Sequence, residues 1–307
     1  MQDLLRRYGP GLTGLICLLV AFWLVMLVIL PNITLFEQSF RPYLPVAEIG
    51  GPKDVYSFDN YTKILTGESQ MEVLGMAFTI PVHIKSFVLT VWYSTVVTVV
   101  SFVLAYPLAY YLAKIVSPKS VATLFLLLFV PLWVSEVLRS FAWFIILSLN
   151  GPLNFVLTGL GITEEKIRWI AGYRSILIGL VYTYVLFMLF PIYNAMQSLD
   201  TNQIEAAEDL GSPWWRTHWR VILPHAKPGI ASGAVMVFML SAGSLLVPSI
   251  LGSTTSQWFT QTIQQWMNDA LDWNTASAYA FLLLILCTIF VSLVMRVFRV
   301  KLSDIAK

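Results

Sequence analysis

The chain has 307 residues, 57% of them hydrophobic and 12% charged, with 19 basic against 17 acidic side chains; its mean hydropathy is +0.73. A soluble domain carries about twice that charged fraction, so these side chains do not suffice to coat a water-facing surface. A net charge of +2 with no clustered basic face argues against a nucleic acid partner. Cys17 and Cys287 both lie in apolar stretches and offer neither a disulfide framework nor a Cys-rich zinc site. The composition predicts an all-α polytopic membrane protein.

Crossing about 30 Å of hydrocarbon takes roughly 20 apolar residues at 1.5 Å each. Six segments qualify: 11–30, 87–113, 121–149, 175–196, 229–251 and 276–295. Only Glu136 and Arg139 among the charged residues fall inside them. The first follows Arg6 and Arg7, but its apolar run exceeds the 7–15 residues usual for a signal peptide core. Its exit, Pro31-Asn32-Ile33-Thr34, has no small-residue cleavage pattern, so a retained first helix is expected.

With the N-terminus inside, the inner pieces hold Arg6, Arg7, Lys114, Lys119, Arg216, Arg220, Lys227, Arg296, Arg299, Lys301 and Lys307. The longer outer pieces hold Arg41, Lys53, Lys63, Lys85, Lys166, Arg168 and Arg174. The excess of basic residues inside predicts that both termini are cytoplasmic. Between the first two spans, the outer loop 31–86 carries four prolines from Pro42 to Pro81, and a short helix is expected near Tyr61–Leu65. After the third span, Asn150-Gly151-Pro152 signals a turn, followed by a helix candidate near Leu153–Leu160. Gly229 and Gly233 suit close helix approach, and Gly243 and Pro248 are expected to break the fifth span. A gate segment near Ser241–Pro248 is one consequence considered; packing is the other.

The longest inner loop, 197–228, reads as a helix, a sharp turn and a second helix. Asp200 and Asn202 are N-cap residues with Gln203 and Glu205 three positions on. Gly211 suits a left-handed helix end, and Ser212-Pro213 restarts a helix that is expected to stop before Pro224. No G-x-x-x-x-G-K-[ST] loop, nor any Gly-Lys pair, occurs in the chain. Any nucleotide hydrolysis must therefore come from another chain. His83, His218 and His225 are too scattered for a metal site.

Glu205-Ala206-Ala207, three residues, Gly211, nine residues, then Val221-Ile222-Leu223-Pro224 resembles the EAA loop of ABC importer permeases, with Val221 where that pattern has Ile. Pro131-Leu132-Trp133, Arg139, Gly151-Pro152-Leu153-Asn154, Gly179-Leu180-Val181-Tyr182, Pro191 and Ser198-Leu199-Asp200 extend the likeness to spermidine/putrescine permeases of the PotB/PotH type. The resemblance covers roughly residues 55–299.

It implies a single permease domain over 1–307 with a type I importer (MetI-like) architecture in a bacterial inner membrane. It further implies that Glu205, Ala206, Ala207, Gly211, Leu223 and Pro224 form a coupling loop on an ATPase. The partners it implies are two ABC ATPase subunits holding ATP and Mg, a second related permease and a periplasmic binding protein. The chain itself would be no enzyme and hold no cofactor. The alternative reading of the loop is an amphipathic helix on the inner lipid surface, with Trp214, Trp215 and Trp219 at headgroup level.

Candidate cargo contacts are Trp133, Glu136 and Arg139 in the third span, Tyr182 in the fourth, and Asp269 and Asp272 in an outer loop rich in tryptophan. Carboxylates beside aromatic faces suit a polyammonium ligand. An internal Glu136–Arg139 ion pair is the competing account of the first pair. The same class of permease serves ferric iron, sulfate, phosphonates or opines. An autonomous ion-coupled carrier or channel remains the reading from another class.

Overall fold

The computed structural model describes residues 2–300 apart from 46, 47, 49, 67, 74, 75, 171 and 254. Of the expected inner cations, Lys301 and Lys307 lie outside the described residues, as do the side chains of Arg6 and Arg7. Six helices are long and apolar enough to cross a membrane: Gly9–Ser39, Val82–Ile115, Glu136–Gly159, Arg174–Gln197, Trp214–Ala242 and Trp273–Phe298. The chain divides into two compact units, Met1–Thr66 with Ile263–Leu284, and Gly67–Thr262 with Ile285–Lys307.

In the first unit, α1 (Gln2–Leu24) passes through a π turn, Val25–Ile29, into α2 (Leu30–Ser39). The helix therefore continues past Pro31, where the sequence suggested its end. Proline lacks the N–H of an α-helical bond, and the wider π turn just ahead of it takes up the mismatch. The short α3 (Asp59–Thr62) with a 3₁₀ turn, Lys63–Leu65, fills the site of the expected outer helix. Buried Asn60 donates to the carbonyls of Ser39 (3.0 Å) and Arg41 (2.8 Å), fastening this turn to the end of α2.

The second unit opens with an antiparallel hairpin, β1 (Glu68–Val73) and β2 (Met76–Pro81), in register from Glu68↔Pro81 to Val73↔Met76. Its core is the packing of α4 (Val82–Tyr110), α8 (Arg174–Gln197) and α11 (Leu223–Ala242). The buried face of α4 is a ladder of small residues, Ser86, Thr90, Ser94, Thr98, Ser101, Ala105 and Ala109, spaced so that they share one side of the helix. Small faces let helix backbones approach closely where hydrocarbon offers no hydrophobic drive. Across the α8–α11 contact, a β-carbon on Gly229 would strike the Pro191 carbonyl, and one on Gly233 would lie 2.7 Å from Met188 Sδ.

The third apolar segment departs from expectation. In place of one span over 121–149 it forms α5 (Pro118–Trp133) and α6 (Glu136–Leu147), separated by extended backbone at Val134 and Ser135. Pro131 weakens the end of α5. Glu136 in the first turn of α6 is favoured by the helix's positive end. A turn then leads to α7 (Pro152–Gly159). Wholly buried Asn154 holds that turn: its Nδ2 donates to the carbonyls of Ser148, Leu149 and Ile167, and its Oδ1 accepts from Ile167 N and Trp169 Nε1.

Candidate functional site

The inner loop is built by local chemistry. Helix α9 (Thr201–Asp209) is capped by Asp200, whose carboxylate accepts from Asn202 N at 3.0 Å. At its far end Gly211 has φ +74°. Gly211 N donates to Glu208 O (2.8 Å) and Ser212 N to Ala207 O (3.0 Å), the paired bonds of a Schellman ending. The chain restarts at α10 (Trp214–Thr217) and passes through a π turn, His218–Ile222, into α11. The expected stop before Pro224 is therefore corrected: Leu223 N–H reaches back five residues to His218 O, and this wider turn carries the helix through the proline.

Of α9 only Ile204 is buried, and it joins the core that holds Leu112, Leu199 and Ile222. Glu205, Ala206, Glu208, Asp209 and Leu210 are exposed, and Ala207 is half-buried. Lys114 donates to the Leu199 carbonyl, and Ser198 Oγ lies 3.0 Å from His225 Nε2. The loop is thus tied to the ends of α4, α8 and α11 while its acidic face is open. Trp214, Trp215 and Trp219 are also exposed, with the Arg216 guanidinium 5.3 Å from the Trp215 ring centre. Leu223 is half-buried and Pro224 exposed.

The membrane-depth candidates do not pair as the ion-pair account required. Glu136 accepts from Tyr184 Oη at 3.1 Å, and no Glu136–Arg139 salt bridge forms within 4.0 Å among the described residues. The half-buried Arg139 leaves its Nε without a hydrogen bond. Tyr182 points elsewhere on α8, packing its ring edge-on to Trp143 at 5.3 Å. Trp133, the last residue of α5, is 74% exposed. Glu136 and Tyr184 share an open crevice of ≈ 260 Å³ with residues 239, 240 and 243–246. That stretch contains the break between α11 and α12 (Leu246–Leu251). The expectation of a break in the fifth span is met at Gly243–Leu245.

The outer acidic pair separates into two kinds of residue. In the first unit, Asp269 is exposed, whereas Asp272 is buried and takes a 2.7 Å salt bridge from Lys63. Thr275 adds bonds from its hydroxyl (2.6 Å) and its backbone N–H (2.9 Å). Burial by itself would raise the Asp272 carboxyl; the hydrogen bonds from Lys63 and Thr275 outweigh it and hold the group below its ordinary value of 3.8. Trp258, in the second unit, is wholly buried with its indole N–H on the Ser241 carbonyl, so it offers no open aromatic face. Among the described residues, no three His, Cys, Asp or Glu side chains converge as a metal site.

Tyr184 is not among the candidates named from the sequence, and the structure places its hydroxyl on Glu136. Only the three-dimensional neighbour, Glu136, distinguishes it from Tyr182, which carries the family pattern.

Among the described residues, six helices long and apolar enough to cross a membrane and an anchored helix–turn–helix with an open acidic face define a polytopic membrane protein. The chain belongs to the family of binding-protein-dependent transport system inner membrane components, which it matches over residues 73–303. It is 31% identical over 264 residues to the spermidine/putrescine transport system permease protein PotB of Escherichia coli K12, covering 86% of this chain and 89% of that one. The protein of the same name from Salmonella typhimurium SL1344 is 30% identical over 288 residues, 92% and 94% of the two chains. The inner membrane ABC transporter permease protein YdcU of E. coli K12 is 28% identical over 259 residues, 80% and 77%. The fold is shared with a chain of a bacterial alginate ABC transporter solved with its alginate-bound periplasmic protein: TM-score 0.70, 16% identity, covering 98% and 99%. The chain is thus a transmembrane subunit of an ABC importer.

Proposed function

We propose that this permease imports polyamines of the spermidine and putrescine class, driven by two ATPase subunits docked on the inner loop. The cargo assignment is supported by the PotB relatives, which span nearly the whole chain at about 30% identity. The observation that carries the coupling role is the construction of α9: one buried anchor, Ile204, beneath an exposed face of Glu205, Ala206 and acidic neighbours. A helix built only to lie on lipid would carry a broad apolar face, which α9 lacks.

In this reading the ATPases hold ATP and Mg, and their closure presses on α9 and its Gly211 turn. Leu199 and the π turn at His218–Ile222 pass the displacement into α8 and α11, whose glycine-mediated contact makes them move together. Leu223 and Pro224 begin the α11 lever. Those two helices also carry Tyr184 and the 243–245 break, so the coupling end and the cargo crevice share one rigid pair. Trp133, Glu136, Arg139 and Tyr182 line or border the pathway, and Asp269 offers an accessible carboxylate outside. Asp272 serves to fasten the outer loop. A second, related permease completes the pathway, a periplasmic binding protein delivers the cargo, and both termini of this inner-membrane chain are cytoplasmic.

ATP hydrolysis by the purified native assembly tests the proposal. Stimulation by a binding protein loaded with spermidine or putrescine is the expected result. Stimulation only by a protein loaded with ferric iron, sulfate, a phosphonate or an opine overturns the cargo and keeps the machine. If no ATPase co-purifies and uptake follows an ion gradient, the coupling role falls.

A further inference from the structure

The crevice between the two broken helices has the chemistry of a cation site whose cation is missing from the chain itself. Glu136 is half-buried in an apolar segment, where an unmatched carboxylate is costly and usually finds a partner. It accepts from a neutral group, the Tyr184 hydroxyl at 3.1 Å, and no Lys, Arg or His nitrogen stands within 4.0 Å of its carboxylate among the described residues.

Ser244 supplies an independent pointer. It is 5% exposed and lines the same crevice, where its hydroxyl faces that of Tyr184 without completing a hydrogen bond of ordinary geometry. A buried hydroxyl is normally satisfied, and one that is not calls for a ligand or water. The end of α11, at Met239, Leu240 and Gly243, and the start of α12, at Leu245 and Leu246, form the remaining wall. The crevice therefore presents a carboxylate and two hydroxyl oxygens, with no basic side chain in its lining. Arg139 stands one turn further along α6, outside the crevice lining.

We propose that Glu136, with the hydroxyls of Tyr184 and Ser244, binds one ammonium group of the cargo within the membrane. An R–NH₃⁺ group has three donors and no acceptor, which matches three oxygens that can all accept. An anionic cargo does not match this set. The inference rests on the polyamine reading given above and adds the subsite to it.

Reconstituted full assemblies, with both permeases, the ATPases and the binding protein, separate the two claims. Uptake of radiolabelled spermidine and putrescine, and the label retained after vanadate trapping, are measured for wild type, Glu136→Gln, Glu136→Asp, Tyr184→Phe and Ser244→Ala. Glutamine still accepts the Tyr184 hydrogen bond, so Glu136→Gln removes charge while keeping the local contact. It is expected to lower uptake and retained label on the order of tenfold, the worth of one charge-assisted hydrogen bond. Glu136→Asp should recover most of that loss, and the two hydroxyl deletions should each give a drop of about a few-fold. Wild-type uptake with an equally active Glu136→Gln overturns the subsite and leaves the cargo assignment standing. Equal loss in Glu136→Gln and Glu136→Asp also overturns it, since shape and not charge would then be at stake. A wild-type assembly that moves neither polyamine overturns the cargo reading and the subsite with it.

Discussion

Gly211 and Asp272 show how single residues are fixed by opposite kinds of constraint. At Gly211 nothing lies within 4 Å of a β-carbon position, so the demand for glycine is purely conformational, set by φ +74°. Gly211→Val is expected to destabilise the turn by about 1–2 kcal/mol through left-handed strain, whereas Gly211→Asn should be tolerated. ATP-driven uptake and thermal unfolding of the purified assembly check both. Asp272 is fixed by partners distant in the chain: Lys63 lies 209 positions away. Because its folded-state pKa is depressed below 3.8, its contribution is present above the unfolded value and lost as pH falls through the folded one. Asp272→Asn should lower stability by about 1–2 kcal/mol at neutral pH, discounted for the part-exposed lysine. The gap to wild type should narrow as pH falls below 3.8 in thermal unfolding curves taken across pH.

At the scale of elements, the tightest packing is that of α8 and α11. Their closeness depends on glycine for want of space, with helical backbone at each site. At Gly229 the obstacle is the Pro191 carbonyl, a backbone atom that no rotamer change can move aside. Gly229→Val is therefore expected to cost at least about 3 kcal/mol through overpacking and to abolish recovery of assembled transporter by size-exclusion chromatography. Recovery at wild-type levels would show that the two helices tolerate separation. The same principle of shape explains Asn154, quoted in the family pattern: five hydrogen bonds converge on one buried amide and hold the turn after α6. Its position in the pattern was readable, but the partners at Ile167 and Trp169 were not, since they arrive from a separate stretch of chain.

Across the whole molecule, coupling requires that force applied at α9 reach the crevice. The path available is short: Leu199 and Ile204 in the common core, Lys114 on the Leu199 carbonyl, then α8 and α11 as continuous helices. Glu205 belongs to the exposed face, so Glu205→Lys should leave the fold intact while reversing a charge at the docking surface. Uptake is expected to fall by an order of magnitude or more, in the range of a lost interface ion pair, with the permease still present in the membrane. Unchanged uptake with unchanged ATPase co-purification would remove α9 from the coupling role.

Five of the six spans and the capped helix of the inner loop were legible because both are local matters. Hydrophobic length decides a span, and Asp200, Gly211 and the intervening helix formers decide a capped helix within a dozen residues. The positions of the breaks were legible only where glycine marked them, at Gly243. At Val134–Ser135 the segment is as apolar as a continuous span, and the competing helix start at Glu136 prevailed. Pro224 read as a stop and instead lies in the first turn of α11, behind the π turn at His218–Ile222, because the core beneath Ile222 and Ala226 rewards an unbroken helix. The pairings were decided by tertiary structure alone: Glu136 with Tyr184 instead of Arg139, Asp272 with Lys63, Asn154 with Trp169. Sequence periodicity records which side of an element is apolar; it carries no record of which distant residue faces that side once helices from separate parts of the chain are brought together.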